Sequence, residues 1–325
     1  MVTESMDTDT DTDMDMDTDM VHTQKIRTIL TKTKMKSNYK NPNLIAEIGC
    51  NHKGEINIAK QLLKVASESG VEVAKFQKRN NKELLSEKQY NAPHPNPMHS
   101  YGDTYGDHRE YLEFDIHQHK ELKEYAESLR LIYSTSVWDT TSAKEIVNLN
   151  PELIKVPSAC NNHFEMLKVL RDDYQGEVHI SFGMTTKDEE EQIVSFFEEA
   201  GQAKPRLLIY SCTSGYPVPA KNIALLEINW LYDNYGDRVN GIGFSGHHLG
   251  VALDIAAYTL GAKWIERHFT KDRTWKGTDH SASLEPQGLQ KLVRDLNAAH
   301  EALHFKDSEI LPIEQVQRDK LKNRK

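Results

Sequence analysis

Residues 241–280 read GIGFSGHHLGVALDIAAYTLGAKWIERHFTKDRTWKGTDH, and their pattern decides the fold. Two short apolar runs, 241–244 and 263–266, flank a stretch in which Leu249, Ala252, Leu253, Ala256 and Leu260 recur at helical spacing, with Gly250 and Gly261 near its ends. Strand, helix, strand makes a parallel crossover, so both strands end on the same side of a sheet. His247 and His268 each stand where an apolar run stops. They are therefore expected to face one mouth, on the side where such folds bind ligands.

The same rhythm runs outward from this unit. Strands are expected near 44–48, 71–76, 131–135, 153–156, 178–182, 207–211, 239–244 and 263–266, with helices near 56–67, 117–129, 142–149, 164–171, 187–200, 223–235 and 249–260. After the last strand, Leu289, Leu292, Val293, Leu296 and Leu303 continue a helical stripe. Eight βα units over about 260 residues match a closed (β/α)8 TIM barrel in the α/β class; a doubly wound open sheet is the alternative. The segment between Gln77 and Asp115 breaks the rhythm with YNAPHPNPMHSYGDTYGDH, and a connection that long is expected to be a lid over the mouth.

Composition excludes several classes. The 325-residue chain has a formal net charge of -9 and no basic cluster interleaved with aromatics, which argues against a general nucleic-acid partner. No apolar run approaches the roughly 20 residues of a membrane span. Cys50, Cys160 and Cys212 are scattered and odd in number, as in a reduced, cytoplasmic protein. Residues 1–20 alternate Asp with Thr and Met, and residues 21–40 turn basic. This low-complexity leader, 1–40, is expected to be disordered, with a barrel domain at 41–305 and a tail at 306–325.

Polar residues at strand carboxyl ends need an explanation, because a barrel interior is otherwise filled by aliphatic side chains. In strand order they include Glu47, Lys75 with Gln77, Ser134 with Ser136, Lys155 with Ser158, Ser181, Ser214 with Tyr216, Ser245 with His247, and Glu266 with His268. Lys75 and Lys155 sit in apolar contexts, VAKFQ and LIKVPS, where an amine is costly unless an anion neutralises it. A phosphate or carboxylate ligand suits them. Two histidines without a third ligand or thiolate suit a loosely held octahedral ion, Mn2+ or Mg2+, better than structural zinc. Glu47 and Glu266 are read either as partners of the lysines or as acid–base groups, and Asp279, in WKGTD, as a holder of a polyol hydroxyl. His52, His248 and His280 are read as supporting or surface groups, and Cys160 and Cys212 as small buried hydrophobes.

AEIGCNHKGE, VAKFQ, YGDTYGDHREYLEF, KVPS, CTSGYP, GFSGHHLG, ERHFT and WKGTDHSASLEP together resemble the sialic acid synthases, over about Asn43 to Leu303. That family condenses phosphoenolpyruvate with an N-acetylmannosamine-type sugar on a (β/α)8 barrel, usually as a domain-swapped homodimer. The resemblance implies divalent-metal ligation by His247 and His268. It implies a phosphoenolpyruvate pocket from Lys75, Lys155, Ser158, Ser181 and Ser245, amino-sugar contacts from Gln77, Tyr216 and Asp279, and carboxylates near the reacting carbons from Glu47 and Glu266. Ser214 stands where some members have Asn. Cys160 stands where members commonly have Asp or Glu. The chain ends at Lys325, before the small C-terminal antifreeze-like domain that lends many members a sugar-binding Arg; substrate capture is then expected to be weaker, to draw on a separate protein, or to use a residue of the lid or tail such as Arg109 or Arg79.

The expected reaction joins carbon three of phosphoenolpyruvate to the open-chain aldehyde of N-acetylmannosamine, giving N-acetylneuraminate and phosphate. The alternative sugar is N-acetylmannosamine 6-phosphate, giving a 9-phosphate. A non-catalytic sugar- or phosphoenolpyruvate-binding subunit is the reading of a different class.

Overall fold

The computed structural model describes residues 39–322, so the expectation of a disordered leader lies almost wholly outside the described residues. Eight parallel strands close in sequence order into a barrel, β8 pairing back onto β1. They are β1 (Asn43–Gly49), β2 (Val73–Lys78), β3 (Ile132–Val137), β4 (Leu153–Val156), β5 (Glu177–Ser181), β6 (Leu207–Cys212), β7 (Gly241–Gly246) and β8 (Trp264–His268). The barrel unit spans residues 40–300, and beyond it the tail carries a helix, Pro312–Leu321.

The barrel core explains the site above it. Ile45, Val73, Leu153, Leu208, Tyr210 and Trp264, with Ile132, form the inward-facing apolar cluster. Side chains on a strand return to the same face every second residue. Two steps toward the carboxyl end, these positions become Glu47, Lys75, Lys155 and Glu266, with Ser134, and a further two steps give Gln77, Ser136 and His268. The register sets them side by side: Glu47 pairs with Lys75 on one flank and with His268 on the other, Ser136 with Lys155, and Ser245 with Glu266. Gly243 leaves room for the inward ring of Tyr210, since a Cβ there would lie 2.4 Å from Tyr210 Cε1.

The opposite faces of the strands pack on amphipathic helices. Ile56–Glu68, for example, buries Ala59, Leu62, Leu63 and Ala66 at helical spacing. Ile116–Ser128 is opened by a capping box of Asp115 and Gln118, and Lys187–Glu198 by Thr186 and Glu189.

One sequence expectation needs correction. The helix after β7 begins at Ala252 rather than at 249, because residues 247–251 bend away from the strand to carry His247. The segment after β2, expected over the mouth, folds into the helices Asn81–Leu84, Glu87–Tyr90 and Tyr105–Leu112, with a 3-10 turn at Pro97–His99. Ser86 with Gln89 and Thr104 with Asp107 form local capping boxes there, short-range chemistry that a search for long apolar stripes misses.

Candidate active site

Thirteen of the residues singled out in the sequence line one cavity of about 500 Å3 at the carboxyl end of the barrel, as does Ser136, whereas Ser134 donates to the Leu153 carbonyl at 3.0 Å and lies outside the lining. The thirteen are Glu47, Lys75, Gln77, Lys155, Ser158, Ser181, Ser214, Tyr216, Ser245, His247, Glu266, His268 and Asp279. A second cavity, of about 590 Å3, lies around residues 248–251, 267–273 and 282–291 and contains none of them.

A line of alternating charges crosses the floor. Ser245 donates to Glu266 Oε1 at 2.9 Å, and Glu266 Oε2 lies 3.4 Å from Lys155 Nζ and 3.6 Å from Lys75 Nζ. Lys75 is 2.6 Å from Glu47 Oε2, and Glu47 Oε1 accepts from Gln77 Nε2 at 2.9 Å. All of these side chains are buried. Lys155 Nζ rests 3.4 Å from the centre of the Tyr210 ring, with Glu266 as its carboxylate neighbour. Burial pulls this amine down to about 8, Lys75 adds to the fall, and Glu266 opposes it. Two buried amines thus share one firmly ionised carboxylate, Glu266, and the surplus positive charge suits this end of the cavity to an anion.

The two carboxylates diverge. Burial pushes Glu47 up to about 7, with Glu266 adding to the rise against the pull of Lys75. Burial also acts to raise Glu266, but Lys155, Lys75, Ser245 and His268 outweigh it and hold this group ionised, far below the usual range.

The histidine rings face each other at 5.4 Å between centroids, with Tyr216 4.4 Å from His247 and 5.7 Å from His268. His247 Nδ1 lies 2.9 Å from the carbonyl of Thr213. An N–H donated there leaves Nε2 as a free ligand, the usual arrangement of a metal-bound imidazole. His268 Nδ1 is buried without a partner. These two nitrogens fit a divalent cation. Among the described residues no group of three His, Cys, Asp or Glu side chains forms a metal cluster, so water and substrate oxygens would complete the shell. Asp279 is the nearest carboxylate influence: burial acts to raise it, yet His268, Thr278, Arg79 and Arg109 hold it below the ordinary range.

Several cavity residues escaped the sequence reading. Cys212, taken as a buried hydrophobe with no histidine beside it in sequence, lies against His247 and Ser158; burial acts to raise its thiol, but His247 and Lys155 bring it below the usual value. Its neighbour comes from the β6–β7 register, where Cys212 pairs with Ser245 two residues before His247. Trp138, Cys50, Tyr105, His94 and His108 also line the cavity. Trp138 stands two residues beyond Ser136 at a strand end, Cys50 lies in AEIGCNHKGE, and His94, Tyr105 and His108 belong to the segment expected over the mouth. His52, His248 and His280 lie outside the cavity lining: His52 stacks on Phe114 at 4.0 Å, His248 lies 3.1 Å from Arg267 Nη1, and His280 bonds Thr270 Oγ1 at 2.8 Å. Cys160 is buried and directed to the Val137 carbonyl.

The NeuB family model matches residues 62–308. The chain belongs to the NeuB family. It is 37% identical over 278 residues to the N-acetylneuraminate-9-phosphate synthase of Homo sapiens, covering 86% of this chain and 76% of the relative. The Drosophila melanogaster protein of the same description is 35% identical over 301 residues, with 86% and 79% covered. The crystal structure of the N-acetylneuraminic acid (sialic acid) synthetase of Leptospira borgpetersenii serovar Hardjo-bovis in complex with citrate superposes with a TM-score of 0.73 at 25% identity, covering 88% of this chain and 94% of that one. The NeuB-family chain is thus a phosphoenolpyruvate-dependent, nonulosonic-acid-forming transferase, and membership implies a divalent-metal-dependent mechanism. Among the described residues no helix is long and apolar enough to cross a membrane.

Proposed function

We propose that this NeuB-family enzyme condenses phosphoenolpyruvate with N-acetylmannosamine 6-phosphate, giving N-acetylneuraminate 9-phosphate and inorganic phosphate. The observation that carries the phosphoenolpyruvate half is the pair of buried amines, Lys75 and Lys155, sharing the carboxylate of Glu266 at the floor of the cavity that His247 and His268 also line. For the sugar, the free N-acetylmannosamine expected first from sequence gives way to its 6-phosphate. Support comes from the human and Drosophila relatives, both 9-phosphate synthases by description.

Lys75 and Lys155, with Ser158 and Ser181, hold the phosphate and carboxylate of phosphoenolpyruvate. His247 and His268 would hold Mn2+ or Mg2+, which would supply Lewis-acid polarisation to the sugar's aldehyde. Tyr216, Gln77, Ser214 and Asp279 orient the open-chain sugar so that its carbon one faces carbon three of phosphoenolpyruvate. That alignment is worth roughly 7 to 11 kcal/mol in favourable cases. As the carbon–carbon bond forms, positive charge develops at carbon two, next to the carboxylates of Glu47 and Glu266. A water oxygen adds there, the phosphate group departs as inorganic phosphate held by the lysines, and the ketone remains. Glu47, whose proton is loosely held near neutrality, is suited to take the proton from that water.

Phosphate release measured with phosphoenolpyruvate and a panel of N-acetylmannosamine, its 6-phosphate and mannose 6-phosphate tests this. The expected kcat/KM is roughly tenfold or more higher on N-acetylmannosamine 6-phosphate than on the free sugar. EDTA should abolish turnover and Mn2+ restore it. Turnover on the free sugar alone would replace the substrate assignment, and full activity after exhaustive chelation would remove the Lewis-acid role.

A further inference from the structure

Two arginines occupy the wall of the cavity away from the lysines, and among the described residues Glu113, against Arg79, is the one carboxylate within 4.0 Å of either. Arg79 follows β2 directly, and Arg109 lies in Tyr105–Leu112; both line the cavity. Arg79 Nη1 lies 3.3 Å from Glu113 Oε1 and 3.4 Å from Cys50 Sγ, while its buried Nε has no partner. Arg109 donates through Nε and Nη2 to the neutral Tyr105 hydroxyl, at 3.0 and 2.7 Å. Among the described residues it forms no ion pair within 4.0 Å. Both guanidiniums lie near the Trp138 ring, at 4.5 and 5.9 Å from its centre, which fixes their planes. Burial and the charge of Arg79 hold Arg109 below its ordinary value, as expected of neighbouring cations.

We propose that Arg79 and Arg109 form the receptor for the phosphate monoester at the far end of the sugar, and so set the preference for a phosphorylated substrate. The assignment rests on the function proposed above. A dianion matches two planar, always-charged forks, each able to give paired N–H donors to phosphate oxygens. Position separates this receptor from the phosphoenolpyruvate end. From Lys75 the line of contacts runs through Glu47, Gln77 and Cys50 before reaching Arg79. Asp279 joins the two ends of the sugar site, since its carboxylate feels His268 as well as both arginines. With carbon one at the histidines, carbon six lies five carbon–carbon bonds further on. Condensation adds three carbons at carbon one and leaves the carbon-six ester untouched, so it becomes carbon nine.

The wall is fixed from both sides. Tyr101 Oη donates to the Lys276 carbonyl at 2.6 Å and Gly277 N donates to His99 Nδ1 at 3.2 Å. The segment bearing Arg109 is thereby docked on the loop bearing Asp279.

The test uses the full chain with Mn2+, in the variants Arg79→Gln, Arg109→Gln and the double, with Arg79→Lys and Arg109→Lys as conservative controls and thermal melting to establish folding. Calorimetry gives the affinity for N-acetylmannosamine 6-phosphate and for N-acetylmannosamine; steady-state kinetics gives KM for phosphoenolpyruvate. Each Gln variant should weaken the phosphorylated sugar roughly tenfold or more, and weaken the free sugar far less. KM for phosphoenolpyruvate should stay within about twofold. The Lys variants, which keep the charge but lose the fork, should fall between; they carry the test if a Gln variant does not fold. Equal losses on both sugars, or a loss confined to phosphoenolpyruvate, would overturn the receptor. If the unmodified enzyme prefers the phosphorylated sugar and the variants keep that preference, the receptor alone falls. If the unmodified enzyme shows no such preference, the substrate assignment falls and takes the receptor with it.

Discussion

Glu47 and Glu266 are chemically the same side chain at neighbouring places in the barrel, yet their surroundings drive them apart. Glu266 has two ammonium groups within 3.6 Å and a serine hydroxyl on its other oxygen, and it stays ionised. Glu47 shares one of those ammonium groups and is pushed up to about 7 by burial. If ionised Glu47 takes the water's proton, turnover should rise as pH increases through about 7, because the base form then accumulates. Glu47→Gln should flatten that limb and lower kcat by roughly 100-fold. A pH–rate profile of the variant that keeps the limb would exclude Glu47 as its source. Sequence made these residues legible as polar groups at strand ends, but not the split between them, which comes from which lysine reaches which oxygen. Cys212 is the opposite case: its sequence neighbours carry no histidine, and only strand pairing brings His247 to it.

At the scale of elements, one carboxylate ties the barrel to the wall of the sugar site. Asp139 caps Thr140–Leu149, its Oδ1 accepting from Ser142 N at 2.7 Å. Its Oδ2 accepts from Asn80 N at 2.7 Å, immediately after Arg79, and from Ser142 Oγ at 2.8 Å. Asp139→Ala leaves buried donors unpaired and should cost about 2 to 3 kcal/mol in urea denaturation. Freed from that tie, Arg79 should also bind sugar phosphate less well, seen as a higher KM for the sugar than for phosphoenolpyruvate. Long helices with apolar stripes were readable to within a few residues, because burial of one face leaves a period in the sequence. The short helices after β2 were not, since they are held by capping boxes and by docking on residues 276–277, neither of which leaves a hydrophobic period.

For the whole molecule, closure of the barrel converts a two-residue repeat into a chemical centre. Gly243 is where that geometry is tightest. A methyl there would meet the Tyr210 ring at 2.4 Å, and Lys155 rests on the same ring. Gly243→Ala should therefore destabilise the fold by about 1 to 3 kcal/mol, read as a lower melting temperature. It should also raise KM for phosphoenolpyruvate by displacing the Lys155 amine. Loss of stability with no change in that KM would show that the amine is held independently of the ring.

The sequence by itself determined the eight-unit barrel and the family, and it pointed to thirteen of the residues that line the cavity, because strand period, helix period and strand-end polarity are all written in local order. Only the tertiary structure decided which carboxylate keeps its charge, that Cys212 meets a histidine, and that Arg79 and Arg109 stand side by side over Trp138. Those facts depend on distances between groups far apart in the chain. In a buried site a shift of an ångström or two decides whether a charge is neutralised or left waiting for a ligand.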